Sequence, residues 1–553
     1  MNGGEALARV LRACGVADLY GVPAGKLGPF ARAVAADGGF RAIGTRHEAA
    51  AAWMATATFH ATGRVAVCFG ETGPGAHNLA SGLGTARANG LAVLALSSGN
   101  PTYVAYPFEG MFMDVDGDRL FGAVTKWNAA ARDPARIPSL VRRALREALA
   151  GRPGPVHLEL PADVLAAEVE LPAEEFDAPL ALPGPAPAAA TDVERAARLL
   201  ADARRPLLIA GGGVVLAGAA PEFRRLARRL GAAATATQMG LGAVPTDSHG
   251  FFGHGGLVGC EGVVRALREA DVVLAAGCRF SSWLWTGTRP DVTGAVVQID
   301  VDPAAIGRTL PVEVGLLGDS KVVLVQLLDA LGDGGPPADE AWLASLVSAY
   351  EAHRERLLAG AGEGEPMHPA ALADELGRAL PPGALAVYDG GHTTFWSNDL
   401  TPATEPRTRF HDPGMAHLGF GLPYALALKA HFPDRTVVNI TGDGGFGFTL
   451  AELDTARRYR LPVVTVIHDN ASWGVIRFGQ ARAGFELETG LEGTRYAEIA
   501  RAFGCHGEEI ARPDEVAPAL RRALDSGLPA VIDARVRFEP HPSLPLFAAV
   551  GRR

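Results

Sequence analysis

The fold is decided by the stretch RTVVNITGDGGFGFTLAELDTARRYRLPVVTVIHDNASWG, residues 435–474. It holds an apolar strand pattern, a glycine-rich turn carrying Asp443, an amphipathic helix pattern and a second strand ending at Asn470. A helix between two parallel strands returns the chain to the same edge of a sheet. We therefore expect Asp443 and Asn470, 27 positions apart, to meet at the carboxyl ends of the strands, where open α/β sheets bind ligands.

The residue types in this stretch indicate a metal and phosphate site. Asp443 and Asn470 supply two oxygen-bearing side chains, and the glycines leave backbone groups accessible. Magnesium takes oxygen ligands and shares its remaining positions with phosphate and water. A GDG tripeptide alone is common in tight turns, but the spacing to Asn470 with a helix between favours a metal-diphosphate clamp.

The rest of the chain alternates helix and strand patterns in the same way, which is typical of parallel sheets. A stretch rich in Pro and Ala interrupts the pattern between 171 and 192, and GDGGPPADE (332–340) interrupts it again before a helical connector. The sequence therefore predicts an α/β fold of three doubly wound parallel-sheet domains. Their predicted ranges are 1–170, 193–332 and 360–553, and the first and third share size and pattern.

Composition excludes several classes of function. The 553 residues carry 51 Lys plus Arg against 61 Asp plus Glu, a net charge of −10, and no basic run interleaved with aromatics marks a nucleic-acid surface. No signal-like N-terminus or long apolar run predicts secretion or membrane insertion. The five cysteines stand singly without a CxxC, as expected for reduced thiols. We expect a cytoplasmic protein that binds neither nucleic acid nor membrane.

The ordered motifs resemble the thiamine diphosphate enzymes, specifically the acetolactate synthase-like group, whose cofactor motif is a GDG followed near this distance by Asn. The resemblance covers nearly the whole chain and implies a pyrimidine-binding, a central and a diphosphate-binding domain, in that order. Its further motifs are GVPAG (21–25), RHEAAAAWM (46–54), ETGPGAHNL (71–79), ATQMGLGAVPTD, QIDVDPAAIG and GLPAVIDARV (527–536).

This resemblance implies thiamine diphosphate and Mg²⁺ as cofactors. Asp443 and Asn470 would ligate the metal through their side chains, and Ser472 through its backbone carbonyl. A Gly-His turn would cover the diphosphate at a helix N-terminus, which favours anions. The residues implied to hold the diphosphate are Gly391, His392, Thr393, Gly442, Gly444, Gly445 and Gly474.

Glu48 and Leu418 are the catalytic residues that the resemblance implies. Glu48 opens a predicted helix, where a carboxylate ordinarily offsets the helix dipole. In the family that glutamate hydrogen-bonds N1′ of the aminopyrimidine, so that the cofactor's own 4′-imino group removes the C2 proton. Leu418 matches the apolar wedge between the cofactor's two rings. Glu48 would come from one subunit and the metal clamp from another, which implies a homodimer or homotetramer with shared sites.

The central domain leaves FAD binding open. Gly211, Gly212 and Gly213 follow a strand, a pattern that marks either a dinucleotide site or only a tight turn. Acetolactate synthases carry a flavin in this domain, and the segment FGHGGLVG (252–259) matches them. The segment CRFSSW (278–283) departs from the acidic pattern expected there.

The implied reaction is decarboxylation of a 2-oxo acid followed by transfer of the remaining carbon unit. A second 2-oxo acid as acceptor makes the protein an acetolactate synthase-like carboligase, whereas a proton makes it a decarboxylase that releases an aldehyde. Decarboxylases usually bring a pair of histidines to the reactive carbon; His77 is the nearest candidate here. Arg477 is a candidate for a substrate carboxylate. The third alternative, a non-catalytic homologue, conflicts with intact Glu48, Asp443 and Asn470.

The substrate pocket departs from the branched-chain pathway enzymes of the family. Gly99 and Met113 stand where two glutamines are expected, and Gly479 stands where an aromatic residue usually contacts the acceptor. Losing a large ring opens space, which Phe112 or Trp127 would reshape. We therefore expect a preference for larger or non-oxo-acid acceptors.

Overall fold

The structure is a computed structural model that describes residues 1–107, 110–248, 250–255, 261–282, 284, 291–332, 338–362 and 364–544. Its contacts divide the chain into two compact units. The first unit comprises residues 1–183, 414–434 and 449–462, and the second comprises 184–413, 435–448 and the chain from 463 on. Among the described residues, no helix combines the length and the apolar character needed to cross a bilayer.

The N-terminal sheet has the strand order β2-β1-β3-β4-β6-β5. Its elements are α1 Gly3–Ala13, β1 Asp18–Gly21, α2 Gly28–Asp37, β2 Arg41–Gly44, α3 Glu48–Thr62, β3 Val67–Gly70, α4 Pro74–Asn89, β4 Leu94–Gly99, α5 Gly117–Gly122, β5 Trp127–Ala130, α6 Ile137–Leu149, β6 Val156–Pro161, α7 Ala162–Ala166 and α8 Ala173–Asp177.

The central sheet has the order β11-β10-β9-β7-β8. Its elements are α9 Ala190–Asp202, β7 Pro206–Ala210, α10 Gly212–Leu216, α11 Ala220–Leu230, β8 Ala233–Ala236, α12 Glu261–Glu269, β9 Val272–Ala276, β10 Ala295–Asp300, β11 Val314–Leu317 and α13 Ser320–Ala330. The connector α14 Glu340–Leu358 follows.

The C-terminal sheet has the order β13-β12-β14-β15-β17-β16. Its part of the chain contains α15 Pro369–Ala379, β12 Leu385–Tyr388, α16 His392–Leu400, β13 Arg409–His411, α17 Gly421–His431, β14 Val437–Gly442, α18 Asp443–Gly447, α19 Leu453–Arg458, β15 Val464–Asp469, α20 Gly474–Arg482, α21 Tyr496–Ala502, β16 His506–Ile510, α22 Pro513–Asp525 and β17 Ala530–Arg535.

These three sheets confirm the predicted fold class. Every pairing between the strands named above is parallel. Each sheet has one switch point from which strands are added in opposite directions, between β1 and β3, β7 and β9, or β12 and β14; in the N-terminal and C-terminal sheets the last strand then lies inside the one before it. The N-terminal and C-terminal sheets share one strand order, so the similarity between the first and third domains extends to their topology.

Two local expectations were wrong. The stretch 171–192 does not interrupt the helix pattern throughout: it contains α8 and the start of α9, because Phe176 is buried beside Ala6 and Val169 and holds α8 to the first unit. The glycine-rich stretch at Asp443 is not a turn either. It forms the single helical turn α18, and β15 ends one residue before Asn470.

Helix α3 is buried along nearly its whole length, from Ala49 to Ala61, because its alanine-rich sequence is apolar on every side. His47 caps its N-terminus by accepting the N–H of Ala49 at 3.1 Å. Helix α17, from the C-terminal part of the chain, packs against α3 in the same compact unit, with a 2.6 Å hydrogen bond between Tyr424 and His60.

A buried glutamate fixes the entry to α3. Glu452 is 1% exposed, and its Oε1 accepts the backbone N–H groups of Arg46 and His47 at 2.9 and 3.1 Å. The other oxygen accepts the hydroxyl of Thr455 at 2.5 Å. Burial raises the pKa of Glu452, while these hydrogen bonds favour its charged form. The residues just before Glu48 are therefore held by a side chain about 400 positions away.

We predict that Glu452→Leu destabilises the protein by about 2–4 kcal/mol, because the Arg46 and His47 N–H groups lose their acceptor. Glu452→Gln keeps an oxygen at the same place and should lose less than about 1.5 kcal/mol. Urea unfolding monitored by fluorescence measures both. Equal losses in the two variants would contradict this role for the glutamate.

Candidate functional site

The predicted clamp residues lie at the carboxyl edge of the C-terminal sheet, on both sides of its switch point. Asp443 follows β14 directly, and Asn470 follows the neighbouring strand β15. His392 opens α16 shortly after β12, the other neighbour of β14. The structure therefore brings together, within one compact unit, three polar side chains from separate parts of the sequence.

Hydrogen bonds join Asp443, Ser472 and Asn470 into one set. The backbone N–H of Ser472 donates to Asp443 Oδ2 at 3.0 Å, and the Ser472 hydroxyl donates to Asn470 Oδ1 at 2.9 Å. The hydroxyl of Tyr496 holds the Asp443 carbonyl at 3.1 Å. Three oxygen-bearing residues are thus fixed at a strand edge, which is the donor type that Mg²⁺ prefers.

The charge on Asp443 is destabilised in the protein alone. Burial and the neighbouring carboxylate of Asp469 raise the pKa of Asp443 to about 7. Asp469 itself is paired with Arg535. Burial and the same Asp469 also raise the pKa of Asp533 to about 7. A divalent cation beside Asp443 would stabilise its charged form, because an opposite charge favours ionisation.

His392 is held in one tautomer. Its Nε2 accepts the backbone N–H of His541 at 2.9 Å and the indole N–H of Trp396 at 3.3 Å, so the ring proton lies on Nδ1. Burial, and then the neighbours His541, His468 and His368, lower the pKa of His392 to about 3. The imidazole is therefore a neutral hydrogen-bond donor through Nδ1.

Gly474 lies close to both of these side chains. A Cβ at this position would lie 3.2 Å from Asn470 Nδ2 and 3.3 Å from His392 Nδ1. Gly474 also begins α20, so the N-termini of α16 and α20 both reach this region. Helix N-termini and a neutral imidazole N–H suit an anion, and the oxygen set beside them suits its cation. These residues fit a magnesium diphosphate.

The remaining glycines of the motif have packing contacts of their own. A Cβ at Gly442 would meet the Thr393 hydroxyl at 3.2 Å. One at Gly444 would meet the Trp473 ring at 2.6 Å, and one at Gly445 would meet the hydroxyl of Thr441 at 3.0 Å. Close packing thus accounts for these glycines, while the predicted contacts of Gly442, Gly444, Gly445, Gly391 and Thr393 with a diphosphate stay predictions.

Glu48 occupies the first position of α3 in the other unit. Its Oε2 accepts the side-chain N–H of Asn78 at 2.9 Å. Glycines 70 and 75 face it, since a Cβ on either would lie 3.0 Å from the glutamate side chain. The carboxylate is half-buried, with Oε2 held by the Asn78 amide and Oε1 facing Gly75. Such a carboxylate can hold a proton shared with a ring nitrogen.

Leu418 lies in the same unit as Glu48, in the segment before α17. The preceding residues are anchored to α3 and α4. The ring of His417 meets Trp53 edge-on at 4.9 Å, and its Nε2 shares a 3.1 Å hydrogen bond with the Ser81 hydroxyl. Ala416 has a φ of 54°, a left-handed conformation that is strained for alanine and is often found at functional sites.

The expected substrate residues are spread over both units. His77 is exposed, and its Nδ1–H donates to the Gly73 carbonyl at 2.7 Å. Gly99 ends β4 and is buried, whereas Phe112 is 73% exposed. Met113 has a φ of 61° and accepts the Thr72 hydroxyl through its carbonyl.

Helix α20 carries the two candidates of the second unit. The guanidinium of Arg477 is paired with Glu486 at 3.3 Å and lies 5.0 Å from the centre of the Phe538 ring. Gly479 faces open space among the described residues, because a Cβ there would meet no atom within 4 Å. Arg477 is therefore engaged, while room remains at Gly479.

Trp127 does not belong with them. It is the first residue of β5 and pairs with Val156, the first residue of β6, so it lies at the amino edge of the sheet. Gly99 lies at the opposite, carboxyl edge, and the guanidinium of Arg143 covers the Trp127 ring at 5.3 Å. The expectation that Trp127 reshapes the pocket is wrong.

The central glycines serve close packing. A Cβ at Gly211 would lie 2.0 Å from the Gly277 carbonyl, and one at Gly213 would lie 2.7 Å from the Gly277 Cα. Two buried side chains at this end of the domain, Gln238 and His254, have polar atoms without a hydrogen bond among the described residues. Parts of the two expected flavin segments, 256–259 and 283, lie outside the described residues. The structure therefore leaves FAD binding untested.

Sequence reasoning missed several residues of these edges. Glu452 holds the backbone of Arg46 and His47, just before Glu48, and the backbone N–H of His541 holds the His392 ring; no local pattern reveals either contact. Lys26 and Glu71 form an ion pair at 3.6 Å beside β1 and β3. One signal was present in the sequence: Glu71 is a charged residue inside the otherwise small and apolar FGETGPG.

Comparisons with known proteins identify all three domains. Models of the thiamine pyrophosphate enzymes match the N-terminal TPP binding domain at residues 1–119, the central domain at 193–327 and the C-terminal TPP binding domain at 389–534. A probable acetolactate synthase large subunit of Methanocaldococcus jannaschii is 33% identical over 100% of this chain and 94% of its own. The acetolactate synthase isozyme 2 large subunit of Escherichia coli K12 is 32% identical over 97% and 96%. A glyoxylate carboligase of Escherichia coli O157:H7 is 28% identical over 95% and 90%.

We predict that His392 stays neutral from about pH 8 down to about pH 5, because burial lowers its pKa to about 3. Histidine-selective ¹⁵N NMR should show an Nδ1-protonated ring that does not titrate in this range. The signal is assigned by its loss in His392→Gln. A titration midpoint near the ordinary value of about 6.5 would contradict the assignment.

Proposed function

Since this chain belongs to the thiamine pyrophosphate enzymes, in their acetolactate synthase-like group, we propose that it is a Mg²⁺-dependent carboligase. It would decarboxylate a 2-oxo acid and join the remaining carbon unit to an acceptor. The observation that carries this proposal is the hydrogen-bonded set Asp443, Ser472 and Asn470 beside Gly474, where a Cβ would crowd Asn470 and His392. An inert homologue would have no reason to keep both features.

Each set of residues has a distinct task in the proposed reaction. When bound, thiamine pyrophosphate supplies the electron sink that stabilises a carbanion. Asp443, Asn470 and the Ser472 carbonyl would hold Mg²⁺, and His392 would donate from Nδ1 to a phosphate oxygen. Glu48, oriented by Asn78, would hold a proton at the aminopyrimidine ring. Leu418 would separate the two rings of the cofactor.

The geometry at His77 supports carboligation over release of an aldehyde. A decarboxylase needs a group that protonates the carbanion, and the ring of His77 is instead exposed and bound to the Gly73 carbonyl. A product screen by mass spectrometry separates the two. Pyruvate and bulkier 2-oxo acids would be offered with and without aldehyde acceptors. Longer carbon skeletons support the carboligase, and aldehydes alone support the decarboxylase.

The room at Gly479 supports larger acceptors than pyruvate. No atom of the described residues lies within 4 Å of a Cβ there, and Gly99 and Met113 replace polar side chains. Pocket contacts of this size change the choice between similar acceptors by about 10–200-fold. Efficient acetolactate formation from pyruvate alone, with no better pair in the screen, would refute this part of the proposal.

FAD is a candidate third cofactor for the central domain. The orphaned polar atoms of Gln238 and His254 support a bound polar ligand, whereas the contact of Gly211 with Gly277 leaves little room at that turn. The visible absorbance spectrum of the purified protein decides whether FAD is bound: a flavin band indicates bound FAD, and its absence indicates none.

We predict that Glu48→Gln still binds thiamine pyrophosphate but loses about 10²–10⁴-fold in turnover, because an amide cannot act as the acid. Cofactor binding is followed by fluorescence quenching and turnover by release of carbon dioxide. Glu340→Gln, on the surface of α14, is the matched control and should keep the wild-type rate. Wild-type turnover in Glu48→Gln at saturating cofactor would refute the assignment.

We predict that Asp443→Ala weakens Mg²⁺-dependent cofactor binding by at least about 10–100-fold, because a metal-ligating carboxylate is lost. If sites are shared between subunits, as the family resemblance implies, mixing this variant with Glu48→Gln should restore part of the activity. Each hybrid would then own one intact site. Analytical ultracentrifugation monitors assembly, and full activity in a monomeric sample would contradict shared sites.

A further inference from the structure

A second charged group lies on the edge that carries Glu48. Lys26 belongs to the short 3₁₀ turn after β1, and Glu71 follows β3 directly. These two strands are the neighbours from which the N-terminal sheet winds outward in both directions, so their carboxyl ends flank the switch point where α/β sheets bind ligands. Glu48 borders the same place, because it lies against Gly70 at the end of β3.

Hydrogen bonds hold both carboxylate oxygens of Glu71 at this edge. Its Oε1 accepts the Ser98 hydroxyl from the end of β4 and the Thr72 N–H at 3.3 Å, and its Oε2 accepts the backbone N–H of Lys26 at 3.2 Å. Burial opposes the charge, but these hydrogen bonds and the lysine outweigh it and lower the pKa of Glu71. The carboxylate is therefore a fixed anion that cannot turn away.

The ammonium of Lys26 keeps its donors available. It lies 3.6 Å from Glu71 Oε1, which is an ion pair too long for a hydrogen bond, and the two side chains are only 23% and 20% exposed. Within the described residues, Nζ donates to no other acceptor. A half-buried cation with unused N–H groups at a ligand-binding edge matches an anionic group of a small molecule.

The choice of lysine is itself informative. The chain has 51 Lys plus Arg, yet only four are lysines: Lys26, Lys126, Lys321 and Lys429. Lys126 and Lys429 donate to backbone carbonyls, and Lys321 pairs with Glu222 on the surface. Arginine therefore supplies 47 of the 51 positively charged Lys and Arg side chains, whereas Lys26 places a compact ammonium at the sheet edge.

From this geometry we propose that Lys26 is a specificity-determining residue of this chain, which binds the carboxylate of a 2-oxo acid acceptor. The proposal rests on the carboligase function proposed above. A cation against the donor's carboxylate would stabilise the group that must leave as carbon dioxide and would slow that step. The acceptor keeps its carboxylate in the product. A fixed cation that binds this carboxylate therefore does not slow the reaction. This selects the larger 2-oxo acids from the acceptors left open by the pocket.

The first test uses binding and needs no turnover. The full chain, with thiamine pyrophosphate and Mg²⁺ present, is labelled with acetic anhydride, and the rate at each of its four lysines is followed by mass spectrometry. We expect 2-oxobutanoate to slow acetylation of Lys26 several-fold and to leave Lys321 unchanged, while propanal changes neither. Equal labelling of Lys26 with and without 2-oxobutanoate overturns the proposal.

The second test compares acceptors that differ only in the carboxylate. In Lys26→Met, kcat/KM for 2-oxobutanoate should fall about 10- to 100-fold with pyruvate as donor, and for propanal by less than about twofold. Lys26→Arg should recover part of the loss, and Lys321→Met is the control. Equal losses for both acceptors would assign Lys26 a merely structural role and overturn the proposal. A wild-type chain that binds no cofactor and forms no carbon-carbon product would instead refute the carboligase function. The labelling result is read without any product, so the two failures can be distinguished.

Discussion

The parallel arrangement of the strands is the constraint on which the rest of the structure depends. When all strands of a sheet run the same way, every residue that directly follows a strand lies at one edge. Glu71 and Ser98 reach that edge of the N-terminal sheet, and Asp443 and Asn470 reach the corresponding edge of the C-terminal sheet. The polar residues of the candidate sites therefore lie at the carboxyl edges of these two sheets.

The edges are made rigid by side chains that satisfy backbone N–H groups. Glu452 accepts two N–H groups just before α3, and the imidazole of His392 accepts one from His541. Asp443 accepts the N–H of Ser472. A buried N–H without an acceptor is costly, so each of these contacts fixes a loop as well as a side chain. Binding a charged cofactor then requires little reorganisation of the protein.

The N-terminal and C-terminal sheets share a strand order but present different functional groups at their carboxyl edges. The C-terminal sheet offers neutral donors, helix N-termini and a set of oxygen ligands, which suit a diphosphate and its cation. The N-terminal sheet offers two carboxylates, Glu48 and Glu71, and the ammonium of Lys26. One topology therefore supports two kinds of recognition, because the fold supplies the edge and the loop residues supply the chemistry.

Local patterns in the sequence determined the fold class and the position of Asp443 and Asn470 at one sheet edge. Apolar periodicity predicted three parallel sheets, and the spacing from Asp443 to Asn470 predicted their meeting at a strand edge. Periodicity could not place Trp127 at the amino edge or show that α8 is buried by Phe176, since both depend on which elements become neighbours. Only the tertiary structure decided the tautomer of His392, the anchoring of Arg46 and His47 by Glu452, and the pairing of Lys26 with Glu71. The partners in the first two of these contacts lie 149 and about 400 residues apart in the chain, and their hydrogen bonds follow from the packing of sheets and helices, which no local stretch of sequence encodes.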